Sequence, residues 1–595
     1  MQGPGCATAR PPDPTVAEPV RFPDTDWPSA ECQRQAARLT AELSLREKIG
    51  QMTLVDTSAI SRADVTAFVI GAAMATGQLG TEVYDASHWR QRADRFHEAG
   101  RRGGLRVPLL FGATAIHGHN DARGAVIFPQ AIGLGATHDP GLVERVAAAT
   151  GEELAATGVD WTFAPMLAVA RDDRWGRSYE CFSEEPELVA QLGAAYVRGL
   201  QGTRAGIGGF PVMACAEQYV GAGASRGGQN HGPVQITAEE LAAHLTPYEA
   251  AVRANVASVQ VATHDLNGRP VQTDGNLLTR VLKDELAFHG FVVSNERGLE
   301  TLPGSYVDRV ASVVTAGVDM MITAGSHERW MRALRALVPD KVSEERVDDA
   351  VFRILTMKCQ FGRFASDQGT RPPLSVVGSP KHRAVAREAV ARSIVLLKND
   401  GILPLSKRNR VFLAGAAADD LGRQCGGWTL RRQGGNGRST SGTTIRDGLE
   451  QAIGQHLVRY VSSGEGAWGS VAVVVVGEQP YAEAAGDRMR LELPAEDIET
   501  VRTVARSEVP VVVVLITGRP VDLTPVLDLA NAILVAWLPG TEGGGVADVL
   551  FGDVPPTGRL SRSWPKGPGP RPTNVGDPDY DPLFEYGFGL PFTPR

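Results

Sequence analysis

Several ionisable and amide side chains fall directly after short apolar stretches that have the length of buried strands. Asn295 and Glu296 follow the apolar start of FVVSNERG, and His264 and Asp265 follow VASVQVAT. Glu483 comes shortly after VAVVVVG. Barrel enzymes place their reactive groups at the carboxyl ends of parallel strands. Carboxylates and imidazoles at such positions indicate proton-transfer chemistry, whereas the Asn295 amide is neither an acid nor a nucleophile.

Each of these candidates also has a structural interpretation. Glu483 is compatible with a solvated loop acid, and Glu296 with an ion pair to the neighbouring Arg297 at a solvated rim. His264 and Asp265 could form a proton-shuttling dyad. Adjacent residues of a strand point to opposite faces, however, so at most one of these two is expected to enter a pocket.

The elements that must position these residues are alternating strands and helices. Between residues 39 and 364, apolar strands such as VPLLFGA and HGFVVSN alternate with Ala/Glu/Arg-rich helical segments. Repeated units of this kind favour a (β/α)8 TIM-like barrel. Further along the chain, VAVVVVGE, VPVVVVLITG and NAILVAWLPG are continuous apolar strands. These predict an α/β sandwich domain with a mostly parallel sheet.

The composition shifts predict five segments along the chain. Their boundaries follow the Pro-rich ends and a Pro/Gly/Ser-rich interruption. The prediction comprises an N-terminal arm (1–30), the barrel-like domain (31–365), a linker (366–385), the sandwich domain (386–564) and a C-terminal wrapping segment (565–595).

Length and charge narrow the classes of partner. A chain of 595 residues is too long for one hydrophobic core. The net charge of −8 and the lack of a long basic run argue against nucleic-acid binding. No apolar run reaches the length of a membrane span. We therefore expect a small-molecule substrate, no membrane partner and no cofactor, because no cofactor motif is present; a homodimer remains open.

The cysteines are widely scattered, at positions 6, 32, 181, 215, 359 and 425. They form no CxxC motif or His/Cys cluster, so they predict neither a metal site nor a disulfide framework. The first residues do not have the pattern of a secretory signal. Together these observations predict a cytoplasmic protein.

Longer blocks of the sequence resemble glycoside hydrolase family 3, the β-glucosidase and exo-glucanase family. The resemblance extends over nearly the whole chain and is carried by LSLREKIGQMT, by the block from PLLFGATAIHGHND to GATHDP, by WTFAPMLAVARDDRWGRSYECFSEEPELV and by AWLPGTEGGGVADVLFGD. It implies a barrel followed by an α/β sandwich, with the active site between them. It also implies retaining hydrolysis, in which one carboxylate attacks the sugar and another transfers the proton.

The sugar-binding positions depart from the family pattern. The resemblance places Asn295 where the family has its nucleophilic aspartate, and Glu296 where it has an aromatic residue. A neutral amide cannot stabilise the cationic transition state, and loss of a nucleophile lowers the rate by a factor of roughly 10⁶. Other positions of the family's sugar pocket are occupied here by Thr114, Glu217, Gln218, Thr263 and Ala168.

Three functional positions match the family pattern. Arg177 matches the arginine that binds the sugar, Glu483 the acid/base from the second domain, and Trp428 one side of an aromatic clamp. Glu217 replaces a lysine, and two interpretations stay open. It forms a buried ion pair with Arg177 that fills the pocket, or it acts as a second acid/base or a cation-binding group.

Three functions follow as hypotheses. The favoured one is a repurposed enzyme that performs elimination, dehydration, cyclisation or isomerisation on a glycoside-like or natural-product substrate. Glu483 is then one acid/base and Glu217 or Glu296 the other. The second is a non-catalytic protein that binds a sugar or metabolite. The third is a residual β-glucosidase that uses another carboxylate.

Overall fold

The computed structural model describes most of the chain. The described residues are 27–75, 83–102, 107–202, 211–296, 298–323, 325–364, 371–567, 569 and 572–592. Most of the predicted N-terminal arm, the start of the predicted linker and Arg297 lie outside these ranges.

Eight short parallel strands form the first domain. They are β1 Thr53–Asp56, β2 Ala72–Ala75, β3 Leu110–Ala113, β4 Trp161–Thr162, β5 Cys215–Tyr219, β6 Ser258–Val261, β7 Phe291–Val293 and β8 Met321–Ile322. The strands join in two sheets, in the orders β8-β1-β2-β3-β4 and β5-β6-β7, and single parallel bridges at Trp161–Met213 and Val293–Met320 close the ring. The predicted TIM-like barrel is therefore confirmed.

Helices surround the barrel and are started by local side-chain caps. The α-helices are α1 Ala30–Glu42, α2 Leu45–Gln51, α3 Arg62–Phe68, α4 Ala86–Arg101, α5 Ala131–Ala136, α6 Pro140–Ala156, α7 Pro186–Gln201, α8 Ala238–Arg253, α9 Tyr306–Ala316, α10 His327–Leu337 and α11 Glu344–Gln360. A π-helical segment covers Asn276–Glu285. At α2, Ser44 accepts a hydrogen bond from the Glu47 amide while the Glu47 carboxylate binds the Ser44 amide, which fixes the helix start.

Two short ribbons lie outside the barrel sheet. One pairs Tyr84–Asp85 with Ala122–Arg123 in parallel, and the other pairs Asp265–Leu266 with Arg269–Pro270 in antiparallel orientation. Both ribbons belong to loops that extend the barrel where its strands end.

The second domain is built on a six-stranded sheet. Its strands are β9 Val395–Asn399, β10 Val411–Ala414, β11 Val458–Tyr460, β12 Val471–Gly477, β13 Val511–Ile516 and β14 Ala532–Trp537. They are arranged in the order β9-β14-β13-β12-β10-β11. Among these strands only the β9–β14 pair is antiparallel, so the predicted mostly parallel sheet is confirmed. The helices are α12 Pro380–Ser393, α13 Leu421–Cys425, α14 Ile445–Ile453, α15 Ala495–Ala505, α16 Thr524–Leu527 and α17 Gly544–Leu550.

Helix α12 begins inside the segment predicted as a linker. Ser379 accepts a hydrogen bond from the backbone of His382, and Pro380 occupies the first helical turn. Proline is favoured at this position because its missing amide would have no partner there. The Pro/Gly/Ser-rich stretch 366–382, which was predicted to be a linker, therefore includes the first turn of a helix at its end.

A disulfide joins Cys32 in α1 to Cys359 in α11. The expectation that the cysteines form no disulfide is wrong for this pair. The two cysteines are 327 residues apart in sequence, and only the packing of α1 on α11 brings them together. The bond removes one of the observations on which the cytoplasmic prediction depended. No helix in the described ranges combines the length and apolarity needed to span a membrane.

The C-terminal segment contacts both domains. Trp564 and Phe584 form an antiparallel bridge, which folds the segment back on the sandwich domain. The segment also contacts the barrel domain. The Val575 amide donates a hydrogen bond of 2.9 Å to Glu184, and the Asn574 side chain donates one of 2.9 Å to the Arg171 carbonyl oxygen. The last part of the chain thus holds the barrel loop after β4 against the second domain.

Candidate active site

Arg177 lies at the centre of a buried charge cluster after β4. Arg177 immediately precedes a 3-10 turn that covers Ser178–Glu180. Its guanidinium donates hydrogen bonds of 2.9 and 2.7 Å to the two carboxylate oxygens of Glu180. A third hydrogen bond, of 3.3 Å, reaches Glu217. A buried guanidinium with two carboxylate partners is held firmly, because leaving any of the three unpaired is costly.

Glu217 is a second buried carboxylate of the barrel that binds Arg177. It is on β5, only 5% of its surface is exposed, and its backbone carbonyl accepts a hydrogen bond of 2.8 Å from Tyr248. Burial raises the pKa of Glu217 to about 7, against the opposing effect of Arg177 and with the help of the nearby Glu180 charge. A carboxyl with such a pKa exchanges a proton near neutral pH, as acid/base catalysis requires.

The residues next to Glu217 and at the end of β6 are mostly buried. Gln218 has a positive φ of 64°, and its amide nitrogen has no hydrogen-bond partner within the described part of the chain. Thr263 and His231 are joined by a hydrogen bond of 2.7 Å. Burial lowers the pKa of His264 to about 4, whereas Asp265 is exposed. His264 is thus buried and Asp265 exposed, but His264 lies between β6 and the short strand Asp265–Leu266, so the strand alternation assumed for the pair does not apply.

The second domain contributes Trp428 and Glu483. The Trp428 indole N–H donates a hydrogen bond of 2.9 Å to Glu180, and the ring is 7% exposed. The guanidinium carbons of Arg177 and Arg432 lie 5.9 and 5.7 Å from the ring centre. Arg432 in turn forms an ion pair with Glu483. Trp428 therefore lies between two arginines, each of which binds a candidate carboxylate.

A continuous polar chain thus crosses the domain interface. It runs through Glu483, Arg432, Trp428, Glu180, Arg177 and Glu217. Sequence reasoning identified the residues at both ends but missed Glu180 and Arg432. Glu180 is three residues after Arg177, a spacing that lets two charges meet within one turn, and this was a usable signal.

Close backbone packing holds the Glu483 loop against the barrel. A β-carbon at Gly176 would overlap the carbonyl oxygen of Glu483, so only glycine fits at this contact. Asp487 accepts hydrogen bonds from the backbone amides of Gly176, at 2.8 Å, and Asn230, at 2.7 Å. Burial raises the pKa of Asp487. The carboxylate at position 487 therefore joins two barrel loops to the loop that carries Glu483.

The remaining predicted residues lie around this chain without joining it. Asn295 follows β7, is half-buried, and accepts a hydrogen bond of 3.1 Å from the Gly298 amide through its backbone carbonyl. Glu296 is exposed, and within the described ranges it makes no ion pair with Arg177 or Arg432. Thr114 is half-buried directly after β3. No group of three or more metal-ligating side chains is found in the described part of the chain.

A closed parallel barrel whose strand ends meet a second α/β domain defines the class as a two-domain barrel enzyme. The family comparison narrows this class. The model described as "Glycosyl hydrolase family 3 N terminal domain" matches residues 44–357, and "Glycosyl hydrolase family 3 C-terminal domain" matches residues 394–592. The chain belongs to glycoside hydrolase family 3.

Its curated relatives include glycosidases from different organisms. A lysosomal beta glucosidase from Dictyostelium discoideum is 29% identical, with 93% of this chain and 75% of the relative covered. A beta-xylosidase from Formosa agariphila is 34% identical, with 82% of this chain and 75% of the relative covered. The similarity thus spans both domains.

Solved structures have the same fold. The exo-1,3/1,4-beta-glucanase from a Pseudoalteromonas species is 34% identical, has a TM-score of 0.91, and is matched over 95% of this chain and 75% of its own. A mutant beta-glucosidase from Listeria innocua in complex with laminaribiose is 25% identical, with a TM-score of 0.82 over 94% of this chain and 83% of its own.

Proposed function

We propose that this chain has lost retaining β-glycoside hydrolysis and performs acid/base chemistry on a glycoside-like or natural-product substrate. The substrate lies between the two domains, and the reaction is an elimination, dehydration, cyclisation or isomerisation. Asn295 supports the first part, because its neutral amide stands at the strand end where the family resemblance expects the nucleophile.

The observation that carries the proposal is the environment of Glu217. Its carboxyl is buried beside Arg177, and its pKa is raised to about 7, so both proton states are populated near neutral pH. Burial alone would raise the pKa of a structural carboxyl in the same way, so the role of Glu217 is decided by the isotope experiment described below. Glu217 is a better second acid/base than Glu296, which is exposed to solvent.

Glu483 is the complementary group from the opposite domain. Its ion pair with Arg432 and its close packing on Gly176 fix it at the interface. Two carboxyl groups on opposite sides of one site suit a reaction in which one removes a proton and the other returns it. The same arrangement needs no covalent glycosyl intermediate.

The reaction class can be tested with labelled solvent. Cellobiose, laminaribiose and 4-nitrophenyl β-glucoside are incubated with the protein in deuterium oxide and in water enriched in heavy oxygen. Acid/base chemistry predicts loss of one water or gain of carbon-bound deuterium, whereas hydrolysis predicts heavy oxygen at the anomeric carbon. The change should vanish in Glu217→Gln and Glu483→Gln but persist in Glu187→Gln, a control at an exposed glutamate of α7. Unchanged turnover in Glu483→Gln would show the mechanism to be wrong.

A non-catalytic sugar-binding or metabolite-binding function is the second candidate. It is favoured by one observation, namely that both candidate carboxylates are engaged by arginines. Recovery of a bound ligand with unchanged mass, together with no isotope exchange, would support this function. A residual β-glucosidase ranks behind both, and would be recognised by heavy oxygen at the anomeric carbon in the wild-type protein.

A further inference from the structure

A cavity of about 650 Å³ lies between the domains, beside the candidate active site. The barrel contributes Val83 and Arg123, and the Gly-rich loop that follows Trp428 contributes the remaining wall. The residues of this wall are Thr429, Leu430, Arg431, Gly434, Gly435, Asn436, Arg438, Ser439, Thr440 and Ser441.

Asn120 links the wall of the cavity to the wall of the candidate active site by hydrogen bonds. The Leu430 amide donates a hydrogen bond of 2.8 Å to the Asn120 carbonyl oxygen, and the Asn120 side chain donates one of 2.9 Å to the carbonyl oxygen of Thr114. Thr429 follows Trp428 in the chain. The cavity and the candidate active site therefore share a wall, formed by Asn120 and by the segment that follows Trp428.

The charged side chains that line the cavity, among the residues that the structure describes, all have the same sign. Of the described residues, three arginines and no carboxylate line it, although the chain as a whole has a net charge of −8. Arg438 is neutralised by Asp419 and Asp447, at 2.7 and 2.8 Å. Arg123 and Arg431 are exposed, and neither forms an ion pair with a carboxylate in the described ranges. Two unneutralised guanidinium groups, one from each domain, thus face one space.

The rest of the wall is rich in neutral hydrogen-bonding groups. Ser439, Thr440, Ser441 and Asn436 line it, whereas the buried Thr429 hydroxyl is engaged by the Gly427 carbonyl oxygen and His117. The Thr440 hydroxyl accepts a hydrogen bond of 3.1 Å from the Gly124 amide, so its own proton remains to be donated elsewhere. Guanidinium forks combined with hydroxyl donors match the planar or tetrahedral oxygens of an oxyanion.

We propose that this cavity binds an oxyanion carried by the outer part of the substrate. The group is a carboxylate, sulfate or phosphate on a sugar or sugar-like acceptor, and Arg123 and Arg431 bind it from the two domains. The proposal rests on the proposed function only in placing the substrate between the domains. It narrows the substrate class to anionic glycosides or their conjugates.

The test compares two ligands that differ only in charge. Cellobionate ends in a carboxylate where cellobiitol ends in a hydroxymethyl group, and their dissociation constants are measured by calorimetry on the full-length protein. We expect cellobionate to bind about tenfold more tightly, a typical gain for a charge-assisted pair. The preference should weaken with added salt, because both arginines are exposed.

Two double variants distinguish binding by the cavity arginines from general electrostatic attraction to the protein. Arg123→Ala/Arg431→Ala removes one cavity arginine from each domain. Arg34→Ala/Arg408→Ala removes one exposed arginine from each domain outside the cavity and changes the net charge equally. The preference for cellobionate should fall to about twofold or less in the first variant and persist in the second. Equal loss in both variants, or no preference in the wild type, would overturn the proposal.

Two further arms separate the source of the anion and the dependence on catalysis. We expect inorganic phosphate to bind more weakly than cellobionate and, at high concentration, to compete with it for the same site. If phosphate bound tightly while cellobionate stayed bound, the proposal that the anion is carried by a sugar would be wrong. The same titrations on Glu217→Gln measure binding without turnover. In the wild type, a preference for cellobionate without any acid/base chemistry would leave the cavity assignment intact while disproving the reaction, and acid/base chemistry without that preference would do the reverse.

Discussion

The indole N–H of Trp428 donates a hydrogen bond of 2.9 Å to the carboxylate of Glu180, from one domain to the other. Because Glu180 also binds Arg177 through both of its oxygens, the contact couples the aromatic side chain of the second domain to the charges of the barrel. The relative position of the domains and the state of the barrel site are therefore linked.

This coupling can be measured with a double-mutant cycle. Trp428→Phe removes the hydrogen bond and keeps an aromatic ring, and we expect it to lower stability by about 1 kcal/mol. Glu180→Gln weakens the contacts to both Trp428 and Arg177. The two effects should not add, because both substitutions remove the same contact. Unfolding midpoints of the two single variants and the double variant provide the test, and simple additivity would contradict the coupling.

The raised pKa of Glu217 predicts a pH-dependent stability. Folding favours the protonated carboxyl, so the contribution of this group is complete below its ordinary pKa of 4.5 and is lost as the pH rises through about 7. The loss is on the order of 1 to 3 kcal/mol. Glu217→Gln cannot ionise and should become more stable relative to the wild type as the pH rises across this interval. Urea midpoints at several pH values test this, with Glu187→Gln as the control that should follow the wild type.

Restoring an acid at position 295 should not restore a normal glycosidase. Asn295→Asp supplies a carboxylate, but Thr114, Gln218 and Thr263 still differ from the family's sugar pocket. We expect activity on 4-nitrophenyl β-glucoside to rise from background yet stay at least about 10³-fold below that of an ordinary β-glucosidase, since a misplaced substrate alone costs a factor of about 10² or more. Peptide mass analysis at position 295 excludes spontaneous deamidation in the wild type. Full activity in the variant would show that the pocket still binds sugar in the ordinary way.

Gly176 should tolerate no side chain. In Gly176→Ala, the new β-carbon meets the carbonyl oxygen of Glu483, and the two loops must separate. We expect a lower unfolding midpoint and loss of any activity that depends on Glu483, with a destabilisation of about 1 to 3 kcal/mol. Gly275→Ala is the control, because the β-carbon that it adds would come no closer than 3.7 Å to Ala316, an ordinary contact, and its φ is −62°. Equal effects of the two substitutions would show that the contact at Gly176 is unimportant.

The Cys32–Cys359 bond should contribute to the stability of the barrel. The two cysteines are 327 residues apart, for which the chain-entropy relation gives about 6 kcal/mol as an upper value. Cys32→Ser/Cys359→Ser should unfold at a lower temperature than the wild type. A reducing agent should lower the wild-type midpoint to that of the variant and leave the variant unchanged. An unchanged wild-type midpoint after complete reduction, confirmed by thiol titration, would contradict this.

The fold was largely predictable because strand and helix periods are local properties of the chain. Of His264 and Asp265 only His264 is buried, but the strand alternation from which we expected this difference does not apply, because β6 ends at Val261. The pairs that depend on packing were not predictable in the same manner. Cys32 meets Cys359, and Arg432 meets Glu483, only after distant elements come together.

In the candidate active site, too, the identities of several residues were predictable from the sequence, whereas the properties that depend on burial and packing were not. Glu217 was recognised as a replaced charge near Arg177, but its raised pKa depends on burial, which a sequence alone does not show. Glu180 was overlooked because it is an ordinary acid in a polar loop. Its spacing of three residues from Arg177 was a usable signal for the ion pair, whereas its contact with Trp428 depends on the packing of the two domains.

The contacts of the C-terminal segment set an order of events during synthesis. Val575 and Ser563 both bind Glu184 in the barrel loop after β4, at distances of 2.9 and 2.8 Å. On the ribosome, these residues emerge hundreds of positions after the loop that they hold, since chains fold from the amino terminus as they are made. The barrel can close early, but the loop leading to Arg177 gains its last supports only when translation is nearly finished. A nascent chain therefore carries an incomplete site, and premature termination would leave it without these supports.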